Sequence, residues 1–144
     1  MTQLNDAAYW QKMNNPIVDE FRANAGQVGG RSLEGVDVLL LTTTGVKSGQ
    51  PRLAPLAYFS IDGKMIIVGS KGGLPANPDW VHNLRANPRA HIEVGATDYD
   101  VVARELPTAE RDETYPKIVA IKPQFGDYQA KTSRVIPLFE LEKA

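Results

Sequence analysis

The pattern of hydrophobic and polar positions predicts six strands. Residues 37–45 contain a continuous apolar run, as expected for a strand that is buried on both faces. Residues 52–61 and 64–69 flank Asp62-Gly63, a pair typical of a two-residue hairpin turn. Three more strands are expected at residues 91–94, 99–106 and 135–141. Because few helices separate the strands, their order favours antiparallel pairing over an all-parallel sheet.

Helical periodicity is confined to four segments. Residues 6–24 carry apolar side chains at spacings of three and four, which predicts a helix with one apolar face. A second helix is expected over residues 77–87, with Asn77 as its N-cap and Pro78 at its first position. Two further helical segments are expected at residues 108–121, before Pro123, and at about 125–131.

These elements predict a mainly β fold with flanking helices, in which helices pack outside a small antiparallel barrel. The chain of 144 residues is expected to form a single domain, 1–144, that includes the N-terminal helix at about 6–24. A glycine-containing break at residues 26–30 separates this helix from the first strand. Two interpretations of the helix stay open: it packs on the barrel, or it acts as a lid or membrane-facing element.

Composition excludes several classes of site. The chain has no cysteine, and therefore no disulfide, thiolate metal site or cysteine nucleophile. Two histidines are too few for a three-histidine zinc site, and no metal is expected. The N-terminus lacks the blocks of a signal peptide, and no apolar run approaches the ~20 residues of a membrane span. We therefore expect a cytoplasmic protein, and peripheral membrane contact stays open as a further possibility.

Charge is unevenly distributed along the chain. The net charge is −1, yet residues 47–92 hold six basic and two acidic side chains. A local basic region on a nearly neutral protein indicates a small anionic ligand, because nucleic-acid-binding proteins usually carry a broader basic surface. Two turns in this region, residues 42–52 and 69–73, each place a lysine among glycines and other small residues. The backbone N–H groups of such a turn can form an anion-binding nest. Most glycine-rich hairpin turns bind nothing, however, so the evidence lies in the pair of turns that concentrates positive charge.

Catalytic side chains are inconspicuous. The sequence has no P-loop, no GxGxxG that opens a helix and no G-x-S-x-G elbow, and no pair of carboxylates has a spacing that suggests acid–base catalysis. His82 is expected on a helix surface rather than as a base. This pattern suits chemistry that is carried by a cofactor.

Three segments resemble one known family. TTTGVKSGQPR, the PLAYF strand and SKGGLPANPDWVHNLRANP, together with TSRVIPLFEL near the end, resemble the deazaflavin-dependent nitroreductases. The resemblance covers roughly residues 35 to 140. It implies a split β-barrel of the class that includes FMN-binding proteins, and reduced coenzyme F420, an 8-hydroxy-5-deazaflavin, as the hydride donor. The acceptor would be a small electron-poor compound: a quinone, an enone or a nitroaromatic.

The resemblance also implies which residues form the site. The cofactor tail would be held by the first turn and by the segment that follows the third strand, while the deazaflavin ring would lie along the second strand and the start of the next helix. The implied cofactor-binding residues are Val46, Lys47, Ser48, Arg52, Leu53, Ala54, Pro55, Leu56, Ala57, Val68, Gly69, Ser70, Lys71, Asp79, Trp80, Val81, His82, Asn83 and Phe125. For hydride transfer, the candidate hydrogen-bond donors to the acceptor are Ser70 and Tyr128, and a packing role on a C-terminal helix stays open as the alternative for Tyr128.

This chain departs from the family pattern at three positions. Val46 replaces a second basic residue that many relatives have, and Lys122 and Phe125 fall where some relatives have tyrosines. With fewer hydroxyls in the pocket, quinones or enones are expected to be reduced better than nitro compounds. Two alternatives stay open: an FMN-dependent oxidoreductase of the same barrel class, and a non-catalytic deazaflavin carrier. The oligomeric state is left open.

Overall fold

The computed structural model describes residues 18–19, 21–23 and 37–144. Its strands are β1 (Asp37–Thr44), β2 (Pro51–Ile61), β3 (Lys64–Val68), β4 (Arg89–Val94), β5 (Thr97–Glu105) and β6 (Leu138–Lys143). Its helices are α1 (Asp79–Ala86), α2 (Thr108–Ile121) and α3 (Gln124–Ala130), and a 3-10 turn spans Lys71–Gly73.

The six strands close into a barrel in the order β1-β2-β3-β6-β5-β4, with β4 returning to β1. Every neighbouring pair is antiparallel. The predicted mainly β barrel with flanking helices is therefore confirmed. Three of the pairs are hairpin neighbours in sequence, while β6 inserts between β3 and β5 after the chain has passed through α2 and α3. That non-local pairing lies beyond what a hairpin pattern predicts.

Buried side chains of the strands contribute to two apolar layers, one inside the barrel and one outside it. One layer fills the barrel interior with side chains that include Leu39, Leu41, Ile67, Ile92 and Phe139, and α1 adds Trp80, Val81 and Leu84 to it. The helix α1 thus covers one end of the barrel. The second layer lies outside the barrel, where α2 and α3 pack over β2, β3 and β6.

The described part of the N-terminal helix packs against the barrel. Phe21 is 1% exposed and Val18 is 7% exposed, and both cluster with Val38 and Leu40 on β1. Arg22 adds a bidentate ion pair to Glu93 on β4, with N···O distances of 3.0 and 3.3 Å. For these residues the lid interpretation is wrong, because their apolar surface is already buried. The rest of the predicted 6–24 helix lies outside the described residues.

Two predicted boundaries are wrong. Asn77 does not cap α1, which begins at Asp79 with Pro78 in the N-cap position. The Asn77 side-chain oxygen instead accepts a hydrogen bond from Arg134, at 2.7 Å. The last strand starts at Leu138 rather than at residue 135, because Ile136 and Pro137 bond to Gln129 and Gly69 outside the sheet ladder.

Strand direction brings the two glycine-rich turns to the same end of the barrel. β1 and β3 are both antiparallel to β2, and therefore run in the same direction. The β1–β2 turn and the segment that follows β3 are consequently at one end, which α1 covers. We call this the α1 end. The Asp62-Gly63 hairpin lies at the opposite end, and its positive φ angles of 54° and 79° fit the predicted two-residue turn.

Candidate functional site

The β1–β2 turn is ordered by its own hydrogen bonds. The Gly45 N–H donates to the Gln50 carbonyl and the Gly49 N–H donates to the Gly45 carbonyl, both at 2.9 Å. The Ser48 hydroxyl oxygen accepts from the Gln50 N–H at 3.2 Å and from an Arg52 guanidinium nitrogen at 3.1 Å. Lys47 and Arg52 are exposed. This turn therefore holds two solvent-facing cations on a fixed backbone, which suits an anionic ligand.

Asn83 attaches α1 to this turn. Its side chain is buried, and its amide nitrogen donates to the Thr43 hydroxyl at 3.0 Å. Its amide oxygen accepts from the Val46 N–H at 3.1 Å. The resemblance implied that Asn83 faces the cofactor. In the structure this amide bonds to two protein groups, as expected because a buried amide is costly unless it is hydrogen-bonded. Contact of Asn83 with the cofactor stays a prediction.

The segment after β3 forms a tight 3-10 turn. Ser70 is its N-cap residue, and its carbonyl accepts from the Gly73 N–H at 2.9 Å. Lys71 has a φ of 45°, the left-handed region that residues with a side chain rarely adopt. The Gly69 N–H donates to the Pro137 carbonyl at 2.9 Å, which ties the turn to the chain that enters β6.

Packing explains two of the glycines in this turn. A Cβ atom on Gly69 would lie 2.8 Å from the Pro137 ring and 2.9 Å from a Val81 methyl group. A Cβ atom on Gly73, where φ is 81°, would lie 2.7 Å from the Tyr128 carbonyl oxygen. Both glycines therefore allow close approach of neighbouring protein segments. This reason for their presence is separate from the predicted approach to a phosphate, which stays a prediction.

Arg134 holds the second turn together. Its guanidinium donates to the carbonyl oxygens of Gly69, Ser70 and Leu74, at 3.1, 2.8 and 2.9 Å, and to the Asn77 side chain. Sequence reasoning assigned no role to Arg134. Its partners lie 57 to 65 positions away in the chain, so no local spacing could have identified them.

β2 has an open edge beside the second turn. The β2–β3 ladder runs from the Ile61–Lys64 pair to the Tyr58–Ile67 pair and stops there. On its other side β2 pairs with β1 along Pro51 to Tyr58. The described strands therefore offer no partner on the β3 side of β2 before Tyr58.

The register shows which residues face this edge. The Gln50 carbonyl accepts a hydrogen bond from the Gly45 N–H. In an antiparallel pair, Gln50 and every second residue after it therefore direct their backbone N–H and C=O groups to β1. Leu53, Pro55 and Ala57 occupy the alternate positions, so their backbone groups point away from β1, to the open edge. Pro55 has no N–H to donate, which suits a strand edge. The edge thus presents a short row of carbonyl and N–H groups between the two turns.

The other implied residues are divided between core and surface. Trp80 and Val81 are buried in the barrel interior, where the Trp80 ring packs edge-on against Phe139 at 5.7 Å. Val68 is buried in the outer layer. Ala54 and Leu56 are half-buried and pack against the interior layer, while Leu53, Asp79 and His82 are exposed. The buried rings of Trp80 help α1 to close the barrel, and the expected contact of Trp80 with the cofactor stays a prediction.

Phe125 was expected beside the cofactor and the substrate pocket, and this stays a prediction. It is 5% exposed and packs edge-on against Phe59, with ring centroids 5.3 Å apart. Lys122 is half-buried at the end of α2. Tyr128 is half-buried and lies over Phe125, with ring centroids 5.2 Å apart. Tyr128 is therefore the aromatic residue of α3 that lies nearer the surface.

Ser70 and Tyr128 lie on neighbouring elements. Gly73 of the 3-10 turn packs against the backbone of Tyr128, so α3 and the turn are in contact. Burial raises the pKa of the Tyr128 phenol above its ordinary value of 10.0. Tyr128 is consequently neutral at physiological pH and keeps its O–H as a hydrogen-bond donor.

Other kinds of site find little support in the residues that the structure describes. Among them no group of three or more His, Cys, Asp or Glu side chains is arranged to hold a metal ion. No helix in the described ranges is long and apolar enough to cross a membrane.

Comparison with known proteins identifies close relatives. A family model described as F420H(2)-dependent quinone reductase matches residues 12–143. An F420H(2)-dependent quinone reductase of Mycobacterium tuberculosis is 38% identical over 128 residues, which covers 85% of this chain and 85% of that protein. A putative F420H(2)-dependent quinone reductase of the same organism is 36% identical over 106 residues, which covers 74% of this chain and 89% of that protein.

Solved structures share the fold. An F420-H2 dependent reductase, FDR-A, is 42% identical and has a TM-score of 0.65, covering 73% of this chain and 93% of that chain. A structure described as a domain-swapped dimer is 36% identical, with a TM-score of 0.67 over 88% of this chain and 96% of that chain. The fold class expected from the sequence, a split barrel with flanking helices, is confirmed by these structures.

Proposed function

Because this chain belongs to the F420H(2)-dependent quinone reductase family, we propose that its α1 end binds the reduced deazaflavin and directs hydride transfer to a quinone. The family expected from the sequence is thereby confirmed, along with its donor, reduced coenzyme F420, and its enzyme class. Which residues of this chain hold the donor and the acceptor is the subject of the proposal.

The open edge of β2 carries the proposal. Leu53, Pro55 and Ala57 direct backbone donors and acceptors away from β1, into a gap that the described strands leave unpaired. A flat heterocycle with carbonyl and N–H groups on its rim would satisfy such an edge, much as an added strand would. When bound there, the reduced deazaflavin supplies a hydride from its C5 carbon.

The two turns that flank the edge suit the anionic tail of this cofactor. Lys47 and Arg52 project from the ordered β1–β2 turn, and Lys71 lies on the 3-10 turn. The tail carries a phosphate and carboxylates, which cations on fixed backbones attract. Val46 contributes its N–H to Asn83 rather than a charge, so in this turn Lys47 and Arg52 supply the positive charge.

Ser70 and Tyr128 are the proposed donors to the acceptor. The two residues lie on contacting elements next to the open edge, and the raised pKa of Tyr128 keeps its phenol protonated. A hydroxyl that donates to the quinone oxygen would stabilise the negative charge that develops there as the hydride arrives. Their task is to orient the acceptor and support this charge.

The test compares cofactors and then acceptors. The purified protein is titrated in parallel with coenzyme F420, FMN and NADPH, and binding is followed by fluorescence and absorbance. Oxidation of the reduced deazaflavin is then measured under anaerobic conditions with menadione added. We expect tight binding of F420 and oxidation that depends on both protein and menadione. Preference for FMN, or F420 binding without menadione-dependent oxidation, would overturn the proposal in favour of a flavin enzyme or a carrier.

A further inference from the structure

Arg134 differs from four other arginines that the structure describes. Arg22, Arg85, Arg104 and Arg111 each pair with a carboxylate. In the described part of the chain Arg134 forms no ion pair, and its partners are three backbone carbonyls and the Asn77 amide. Its side chain is partly buried, and this desolvation lowers the pKa of its guanidinium below the ordinary value. The positive charge beside the second turn is thus not neutralised by a carboxylate of the described residues.

The hydrogen bonds of Arg134 determine the shape of the turn. The carbonyls of Gly69 and Ser70 precede the 3-10 turn, and the Leu74 carbonyl follows it, so one guanidinium spans the whole segment. All three carbonyls point towards the guanidinium. This arrangement holds Lys71 in its left-handed conformation, with φ 45°, and fixes Ser70 next to α3.

Gln129 and Arg111 support Arg134 from behind. The Arg134 carbonyl accepts from the Gln129 amide nitrogen at 2.8 Å, and the Gln129 oxygen accepts from Arg111 at 2.6 Å. Arg111 also donates to the Ile136 carbonyl at 2.9 Å. The segment that carries Arg134 is therefore anchored to α2 and α3 before it reaches the turn.

We propose that Arg134 is the positioning residue for the anionic tail of the cofactor. Its guanidinium fixes the 3-10 turn by donating hydrogen bonds to the carbonyls of the turn, and it contributes a positive charge that the tail neutralises. This inference rests on the proposed function, because it takes the second turn as a tail site. Arg134 acts through the turn, and no contact with the reacting atoms is implied.

The experiment separates the geometry of the guanidinium from its charge. Arg134→Lys keeps the charge and loses the planar fork, while Arg134→Gln loses both. Lys117→Gln is the matched control, since Lys117 pairs with Asp62 at the opposite end of the barrel. For each folded variant, the dissociation constant of coenzyme F420 is measured from about 20 to about 500 mM NaCl, a range over which screening changes strongly, and its unfolding in urea is recorded.

Each variant has its own expected result. For Arg134→Lys we expect affinity about 10- to 100-fold weaker with the salt dependence of the unmodified protein. For Arg134→Gln we expect weaker affinity and a shallower salt dependence, because one cation at the site is gone. For Lys117→Gln we expect affinity within about twofold. A folded Arg134→Gln protein with unchanged affinity and salt dependence would overturn the inference.

A measurement on the unmodified protein covers the case in which both variants unfold. The Nε–H resonance of Arg134 is followed by NMR while F420 is added, and we expect it to shift. An unchanged resonance at saturating F420 overturns the inference while leaving the proposed function intact. If the unmodified protein fails to bind F420 at all, the proposed function itself is wrong.

Discussion

The buried side chain of Asn83 accepts a hydrogen bond from the backbone N–H of Val46, with an O···N distance of 3.1 Å. Asn83 lies on α1, whose Trp80, Val81 and Leu84 fill the end of the barrel, and Val46 lies in the exposed β1–β2 turn. The position of a surface turn is therefore coupled to the packing of the barrel interior. A ligand that contacts this turn meets a backbone that is already ordered.

Replacement of Asn83 should weaken both stability and cofactor binding. Asn83→Ala leaves Thr43 and the Val46 N–H without their amide partner, and we expect a loss of about 1–3 kcal/mol in the free energy of unfolding. Urea unfolding and F420 titration measure the two effects. Asn87→Ala is the matched control, because its side chain bonds the exposed Arg89 N–H and should cost less. Equal losses in the two variants would contradict the proposed link between α1 and the turn.

Lys47 should contribute to cofactor affinity and not to folding. Its side chain is exposed, so Lys47→Ala should leave urea unfolding unchanged. We expect F420 binding to weaken by about 1.5–3 kcal/mol, the usual range for a hydrogen bond to a charged group, and to become less sensitive to salt. Lys117→Ala, at the opposite end, serves as the control. Unchanged affinity in a folded Lys47→Ala protein would remove this turn from the tail site.

Two glycines with similar φ angles should differ in their tolerance of alanine. Gly63 has φ 79° and open space where a Cβ atom would lie, whereas the same atom on Gly73, φ 81°, would lie 2.7 Å from the Tyr128 carbonyl. Gly63→Ala should cost the strain of the left-handed region, about 1–2 kcal/mol. Gly73→Ala adds a steric clash of about 1–3 kcal/mol. Urea unfolding compares them, and similar losses would show that α3 does not restrict the turn.

Stability should depend on pH through His91. Hydrogen bonds to Asp100 and Asp98, at 2.7 and 2.9 Å, raise the pKa of this imidazole above its ordinary value of 6.5. The charged form is favoured in the folded state, so its stabilisation is fully present below pH 6.5 and is lost as the pH rises through the raised pKa.

A matched variant isolates this contribution. His91→Gln should lack the decline in the free energy of unfolding above pH 6.5 that the unmodified protein shows. NMR titration of the imidazole in the folded protein gives the pKa directly. A value at or below 6.5, or identical pH profiles for the two proteins, would contradict the charged cluster.

Quinones should be better acceptors than nitro compounds. The hydroxyls proposed near the acceptor are those of Ser70 and Tyr128, and a quinone oxygen needs only one of them. A nitro group develops charge on two oxygens and needs more donors, each worth on the order of 3 kcal/mol in a transition state. The measurement is kcat/KM for menadione, a cyclic enone and a bicyclic nitroimidazole with the reduced deazaflavin. A nitroimidazole that proves the best of the three would contradict this ranking.

Local pattern was sufficient for most elements of the fold. Asp62-Gly63 marked a hairpin because both positions need positive φ, and the apolar run of β1 marked a strand covered on two sides. The position of β6 between β3 and β5 could not be predicted in this way, since it depends on where α2 and α3 return the chain. The same limit applied to Asn77, whose side chain binds a distant arginine instead of its own helix.

The candidate site was predicted in part. The basic turns could be recognised because lysines and glycines are adjacent in sequence. The resemblance placed Phe125 and Trp80 at the cofactor, and in the structure both are buried in apolar layers. Arg134 was missed since its role depends on carbonyl groups of residues far away in the chain. Neither burial nor a contact with a distant backbone group can be recognised from the few residues that are adjacent in sequence.

The open edge of β2 also bears on the behaviour of the protein without its cofactor. Unpaired strand edges are templates on which another chain can add a strand, and folded proteins commonly protect them. Pro55, in the middle of this edge, removes one N–H from the row and makes it a poor template. The carbonyl of Pro55 can still accept a hydrogen bond from a small heterocycle. Selection at position 55 would then favour a residue that admits a cofactor and discourages self-association.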